Sequence, residues 1–252
     1  MQARPERRLF LKCILICLIT LLFAPFYAQE SDQSIRDFQS IRDHYARFYS
    51  ADYNLLNGRK YYLLFSAVSH PFFGSDQFRR GTLLINGVRY EGVIINYDIY
   101  QQQVILQYIS HSGQAEHLAL ADENIEKFIL DGKIFSRMSF PETGSGFFQV
   151  VTSGGISCLL AWEKKLVYTP GSSTTLFNFT SQKRSTYLLM DGRVHPFRYR
   201  SSFTRIFDEP LRKDIRRYCR REQIYLNQAS DTELGKLVRY CNSLSNNLNN
   251  DK

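Results

Sequence analysis

The sequence predicts a mainly β fold: an antiparallel hairpin-rich sheet (sandwich, curved sheet or open barrel) with an N-terminal helical segment and two C-terminal helices. Two observations carry this. Four dipeptides suited to tight hairpins, Asn86-Gly87, Asp131-Gly132, Gly154-Gly155 and Asp191-Gly192, each lie between apolar runs. Apolar residues at three- and four-residue steps, the mark of helix faces, gather before residue 57 and after residue 203. Composition agrees, since 19 Phe and 16 Tyr suit half-buried pleated surfaces.

The chain opens with Arg4, Arg7 and Arg8, then an apolar run from Leu9 to Phe23 broken by Lys12 and Thr20, then Ala24 to Ala28 and the polar Gln29-Glu30-Ser31-Asp32. Basic, apolar and small residues in that order read as a signal peptide over residues 1–28, cleaved between Ala28 and Gln29. The apolar core falls short of the roughly 20 residues that span a bilayer. Arg7-Arg8-Leu9-Phe10-Leu11-Lys12 resembles a twin-arginine signal, but Glu6 and the hydrophobic run after it favour the general export route. Ile16 is too large to precede a lipid-modified cysteine at Cys17. The expected address is therefore outside the cytoplasm, periplasmic or extracellular and associated with the cell envelope.

Removing four basic residues and one acidic residue with the signal leaves 28 basic and 23 acidic side chains, a net charge of +5 on 224 residues. That is well below the basic footprint of a nucleic-acid binder, and export argues against nucleic acid as a partner. Of the five cysteines, Cys158, Cys219 and Cys241 remain. Cys219 and Cys241 fall on the two C-terminal helices and are the candidate disulfide pair in an oxidising compartment. The alternative is that they are small apolar residues on packed helix faces.

In the mature chain, Ile35, Phe38, Ile41, Tyr45 and Phe48 mark a helical segment over residues 29–56. A β domain follows over 57–203. Its hairpins rest on Asn, Asp and Gly, which tolerate the positive φ angles of type I′ turns, whose twist matches that of the flanking strands. Further strands near Tyr61 to Val68, Val93 to Tyr97 and Val104 to Ile109 bring the expected total to about ten to twelve. The helical C-terminal part spans 204–245. Asp208 is placed to cap a helix with Pro210 in its first turn and Leu211, Ile215, Tyr218 and Cys219 on one stripe. Ser230-Asp231-Thr232-Glu233 matches a capping box ahead of Leu234, Leu237, Val238 and Cys241. The polar residues 246–252 are expected to form a flexible tail.

Several stretches resemble an uncharacterised family of secreted bacterial β-rich proteins: Asn57-Gly58-Arg59-Lys60-Tyr61, His70-Pro71-Phe72-Phe73, the hairpin Gly81 to Tyr90, and Tyr97-Asp98-Ile99-Tyr100. Gly146-Phe147-Phe148 and Arg239-Tyr240-Cys241-Asn242 extend the likeness over most of the mature chain. The resemblance implies a fold and an exported location, and no activity.

Enzyme signatures are sparse. Gly155-Ile156-Ser157-Cys158-Leu159 lacks the second glycine of a nucleophile elbow. No H-E-x-x-H or paired C-x-x-C occurs, so neither a metal nor a cofactor is expected. His111 and His117 flank a short loop, where unpartnered surface histidines are the commoner reading. Asp98, beside Tyr97 at a strand end, suits a turn closed by its carboxylate, and His70 before Pro71 reads as structural. Arg212, Lys213, Arg216, Arg217, Arg220 and Arg221 form the densest basic cluster, a solvated helix face or a contact for anionic headgroups.

The leading expectation is a non-enzymatic binding or accessory module for an envelope protein, lipid or glycan, with membrane contact through the basic helix. The alternative is an envelope-acting hydrolase using carboxylates such as Asp98 and Asp122. An outer-membrane barrel is disfavoured by the polar C-terminus and terminal helices.

Overall fold

The computed structural model describes residues 58–62, 69–109, 113–169, 176–209 and 211–250, all within one unit, Leu55–Lys252. The expected signal peptide with its Ala28 and Gln29 junction, the helical segment 29–56 and His111 lie outside the described residues.

Thirteen strands form among the described residues: β1 (Gly58–Lys60), β2 (Arg79–Ile85), β3 (Val88–Asp98), β4 (Gln103–Ile109), β5 (Ala115–Leu120), β6 (Ile125–Leu130), β7 (Lys133–Phe140), β8 (Gly144–Thr152), β9 (Ile156–Glu163), β10 (Leu166–Thr169), β11 (Leu176–Phe179), β12 (Lys183–Met190) and β13 (Arg193–Phe197). Eleven join one antiparallel sheet in the order β1-β5-β4-β3-β2-β6-β7-β8-β9-β12-β13, while β10 and β11 pair separately. Three helices follow: α1 (Arg200–Thr204), α2 (Leu211–Arg221) and α3 (Asp231–Asn250).

All four predicted hairpins form. In three of them the turn residues sit where a type I′ turn needs them: Asn86, Asp131 and Asp191 have φ of 48°, 52° and 52°, and Gly87, Gly132 and Gly192 have 76°, 69° and 74°. The fourth differs. Its register shifts between Val150 and Thr152, Gly154 is nearly extended at φ 159°, and the loop is clamped from outside by Asn242 on α3. Asn242 Oδ1 accepts the Ile156 N–H at 2.8 Å and its Nδ2 donates to the Ile156 carbonyl at 2.8 Å. Within β2, a Cβ on Gly81 would stand 2.6 Å from the Ile129 carbonyl oxygen, so glycine is what lets β6 approach β2 there, beside the register shift between Gly81 and Thr82 in the β2–β3 pairing.

The sheet is strongly curved without closing into a barrel. Strands β3 and β9 lie five places apart in the order, which is about 24 Å on a flat sheet at ~4.8 Å per strand. Yet Gln102 Nε2, just after β3, donates to the Trp162 carbonyl on β9 at 2.9 Å, and the Lys164 N–H donates to the Ile99 carbonyl at 3.3 Å. Only a sheet curled on itself brings those ends together. Inside the curl, Tyr97, Phe128, Phe135 and Phe147 pack edge-on or stacked at 4.6–5.9 Å between ring centroids.

The helices cover the β8–β9–β12–β13 end. The predicted capping box forms: Ser230 Oγ accepts the Glu233 N–H at 3.3 Å, and Glu233 Oε2 accepts the Ser230 N–H at 2.8 Å. Leu234, Leu237, Val238 and Cys241 bury against Ile156, Cys158, Leu160 and Leu188 of the sheet. Helix α3 runs on to Asn250, past the expected end of the helical part at 245. In its first turn, Asp231 accepts hydrogen bonds from Lys133 Nζ on β7 and from Gln149 Nε2 on β8, the latter at 2.7 Å, with Arg184 of β12 at 4.0 Å.

Burial pushes the Asp231 carboxyl up, but the hydrogen bonds from Lys133 and Gln149 and the charges of Lys133 and Arg184 outweigh it and hold the group below the usual carboxylate range. Its contribution to stability is therefore present above about pH 4 and lost as pH falls through the lowered folded value. Asp231→Asn should cost about 1–2 kcal/mol at pH 7 and remove that acid-side slope. Urea unfolding of both proteins between pH 3 and 7 measures it, and an unchanged midpoint and slope would show that the network is incidental.

Candidate functional site

The carboxylate singled out in the sequence proves to close a turn. Asp98 is fully buried at the end of β3, its Oδ1 accepting the Tyr100 and Gln101 N–H groups at 2.9 and 2.8 Å and its Oδ2 accepting the Tyr61 hydroxyl at 2.8 Å. Burial raises its pKa, and those three bonds and the Lys164 charge pull it back in part. The His-Pro-Phe-Phe stretch runs alongside, with Phe73 N–H donating to the Tyr97 carbonyl at 2.8 Å and Ile99 N–H to the Pro71 carbonyl at 3.1 Å. His70 Nδ1 accepts the Phe72 N–H at 3.2 Å, and Lys164 Nζ donates to the His70 carbonyl at 2.8 Å. Three of the stretches carrying the family resemblance thus meet at one corner, where they supply structure.

Asp122 lies in the single turn between β5 and β6, and its charge, like that of Asp98, raises the pKa of the buried Tyr97 phenol after burial itself. Its Oδ1 and the Nη1 of Arg137 are both buried without a hydrogen-bond partner. His117 packs its ring on Phe78 at 4.5 Å, and burial lowers its pKa. Among the described residues no group of three or more His, Cys, Asp or Glu side chains could hold a metal ion. The three remaining cysteines are buried free thiols. Cys219 and Cys241, the candidate disulfide pair, are unbonded and fill one core with Cys158 as small apolar residues do. Burial pushes the Cys158 thiol up to about 12.

The basic helix divides its arginines between two tasks. Arg212 turns back into the fold, its Nε and Nη2 donating to the Phe207 carbonyl at 3.1 and 2.8 Å and its Nε also to the Thr204 carbonyl at 3.2 Å. Arg217 pairs with Asp214 at 3.2 Å and Arg221 with Glu222 at 2.9 Å. Arg216 and Arg220 make no side-chain hydrogen bond or ion pair among the described residues, and they face a cavity of about 410 Å³ together with Arg200 and Thr204 of α1. Helix α1 is held at that place by aromatic packing: Phe203 meets Phe197 of β13 at 4.8 Å and Phe207 at 5.4 Å.

The cavity floor depends on how α2 ends. Gln223 takes φ 52°, its N–H donates to the Arg220 carbonyl at 3.3 Å, and the Ile224 N–H donates to the Cys219 carbonyl at 3.0 Å. This is a Schellman ending, with glutamine where glycine is usual. It turns the chain so that Ile224 and Leu226 bury beneath α1.

A second cavity of about 1100 Å³ adjoins the first, sharing Tyr199, Leu226 and Asn227 with it. Lys183 and Arg184 of β12 and Arg198 line it, with Trp162, Tyr187 and Phe197 as aromatic walls. No residue lining either cavity is acidic. Glu163 and Asp231, which pair with Lys183 and Arg184 at 2.9 and 4.0 Å, are not part of the lining. Tyr199 and Tyr225 stand exposed at the smaller cavity, with Arg198 over the Tyr199 ring at 5.4 Å. The two cavities form one basic groove with an aromatic rim, and neither Asp98 nor Asp122 lines it.

Comparison of the chain with protein-family models, curated proteins and solved structures returns no match. The groove must therefore be read from its own chemistry. Sequence reasoning singled out Arg216 and Arg220 as part of the basic helix but missed Arg200, Thr204 and the β12 residues, which no periodic pattern connects.

Burial pushes the Asp122 carboxyl up to about 6, with the Arg137 charge offsetting part of the rise. The folded protein then holds a proton that the unfolded chain releases near pH 4. Stability from this group is full below about pH 4 and is lost as pH rises through about 6. Asp122→Asn should flatten the fall in unfolding midpoint between pH 4.5 and 7. A fall of the same size in the variant would assign it to another group.

Proposed function

We propose that the protein is an exported, non-enzymatic binding module of the cell envelope whose basic groove takes the anionic part of a glycan or lipid headgroup. One observation carries this reading: two adjoining cavities are lined by six basic residues and no acidic one. Walls of one sign around a low-dielectric concavity focus potential and favour an anionic occupant. Aromatic faces beside those charges suit amphipathic ligands, which present a ring or chain along with the charge. Asp98 supports the non-enzymatic part, since both its oxygens are taken by hydrogen bonds that close a turn.

Dextran sulfate should bind the protein with a Kd that rises steeply with salt, while uncharged dextran should not bind. Reversing two groove charges with Lys183→Glu and Arg198→Glu should weaken binding at least tenfold and leave the polymer uncut in both proteins. Equal binding of the two polymers, or their cleavage, would overturn the proposal.

A further inference from the structure

The smaller cavity has a more specific chemistry than the groove as a whole. Arg200 and Thr204 stand one turn apart on α1, and Arg216 and Arg220 one turn apart on α2, so two pairs of polar side chains line a single space. Arg200 Nε and Thr204 Oγ1 are buried without a hydrogen-bond partner, and Thr204 is 0% exposed. A buried hydroxyl left unpaired is costly and is satisfied when a ligand oxygen or water reaches it. The acids nearest along α2, Asp214 and Glu222, are engaged by Arg217 and Arg221, so no carboxylate neutralises the cavity.

We infer that this cavity is a subsite for a phosphate ester carried by the groove's ligand, an inference that rests on the groove reading above. A carboxylate is matched by one guanidinium in a two-point bond. Three guanidinium groups beside a hydroxyl suit a group with three terminal oxygens and close to two negative charges, which a phosphomonoester supplies. At about 410 Å³ the space is larger than a bare tetrahedral anion fills. The remainder, walled by Ile224 and Leu226 and rimmed by Tyr199 and Tyr225, holds the first part of the group that bears the phosphate.

Calorimetric titration of the mature protein with inorganic phosphate, at constant ionic strength in chloride, tests the subsite directly. Saturable binding is expected, weakened at least tenfold in the Arg216→Ala, Arg220→Ala double variant, whose substituted residues are exposed and leave the core intact. Thr204→Val should weaken it several-fold, with circular dichroism checking that this variant folds. Co-sedimentation with phosphatidylcholine vesicles, with and without phosphatidate, separates two sources of the same chemistry. Recruitment only by phosphatidate assigns the phosphate to a lipid headgroup, and phosphate binding without recruitment assigns it to a soluble ester or glycan. No saturable phosphate binding, or equal binding by the double variant, overturns the subsite. If dextran sulfate still binds in that case, the groove reading stands alone, and if it does not, both fall.

Discussion

The arrangement depends on how one carboxylate is held. Asp231, in the first turn of α3, draws donors from β7 and β8 and lies near a cation of β12. Gln149, which donates to it, also accepts the Trp162 indole N–H of β9 at 2.9 Å. A half-buried carboxylate without donors would be expelled to water, so these partners fix where α3 can start. The position is favourable for a second reason, because the helix N-terminus itself attracts negative charge. Asn242 makes the other attachment, eleven residues on and about 16 Å along the axis at 1.5 Å per residue. Between the two points lie Leu234, Leu237, Val238 and Cys241, the apolar stripe that seals the sheet end. The polar bonds set the register of α3, and burial of the stripe supplies most of the attraction.

Trp162 carries that constraint into the rest of the molecule. Its ring meets Phe73 of the His-Pro-Phe-Phe stretch at 5.1 Å, its carbonyl accepts Gln102 beyond β3, and it packs against both of the large cores. It also lines the larger cavity of the groove. The corner around Asp98 and the groove lined by basic residues therefore share one residue. A second link is made by the N–H of Gly74, next to Phe73, which donates to Oε1 of the lining residue Gln182 at 3.0 Å.

What the sequence made legible follows the range of the interactions involved. Hairpins at Asn86-Gly87, Asp131-Gly132 and Asp191-Gly192 and the Ser230–Glu233 capping box are set by residues within four positions of each other, and all appear as read. The carboxylate turn at Asp98 is equally local. The Gly154-Gly155 hairpin formed with another geometry because Asn242, 86 residues from Ile156, holds its backbone. Arg212, Arg216 and Arg220 share one helical spacing and could not be told apart by pattern, since their fates depend on where the carbonyls of Thr204 and Phe207 lie. The glutamine at the end of α2 hid the stop that glycine would have announced.

The groove's charge is a consequence of the same long-range packing. Lys183 and Arg184 of β12 pair with Glu163 and Asp231, at 2.9 and 4.0 Å, and neither acid lines the groove. Arg200 reaches it from α1, which has no acidic residue, and Arg216 and Arg220 from α2, whose one acid, Asp214, pairs with Arg217. A net charge of only +8 on 252 residues is thus no guide to the local potential. Six basic residues and no acidic one line the two cavities, with Lys183 and Arg184 paired to acids outside the lining. The folding energy that seats α2 and α3 on the sheet is what holds those cations together, and in this way the Asp231 attachment and the charge of the groove are linked.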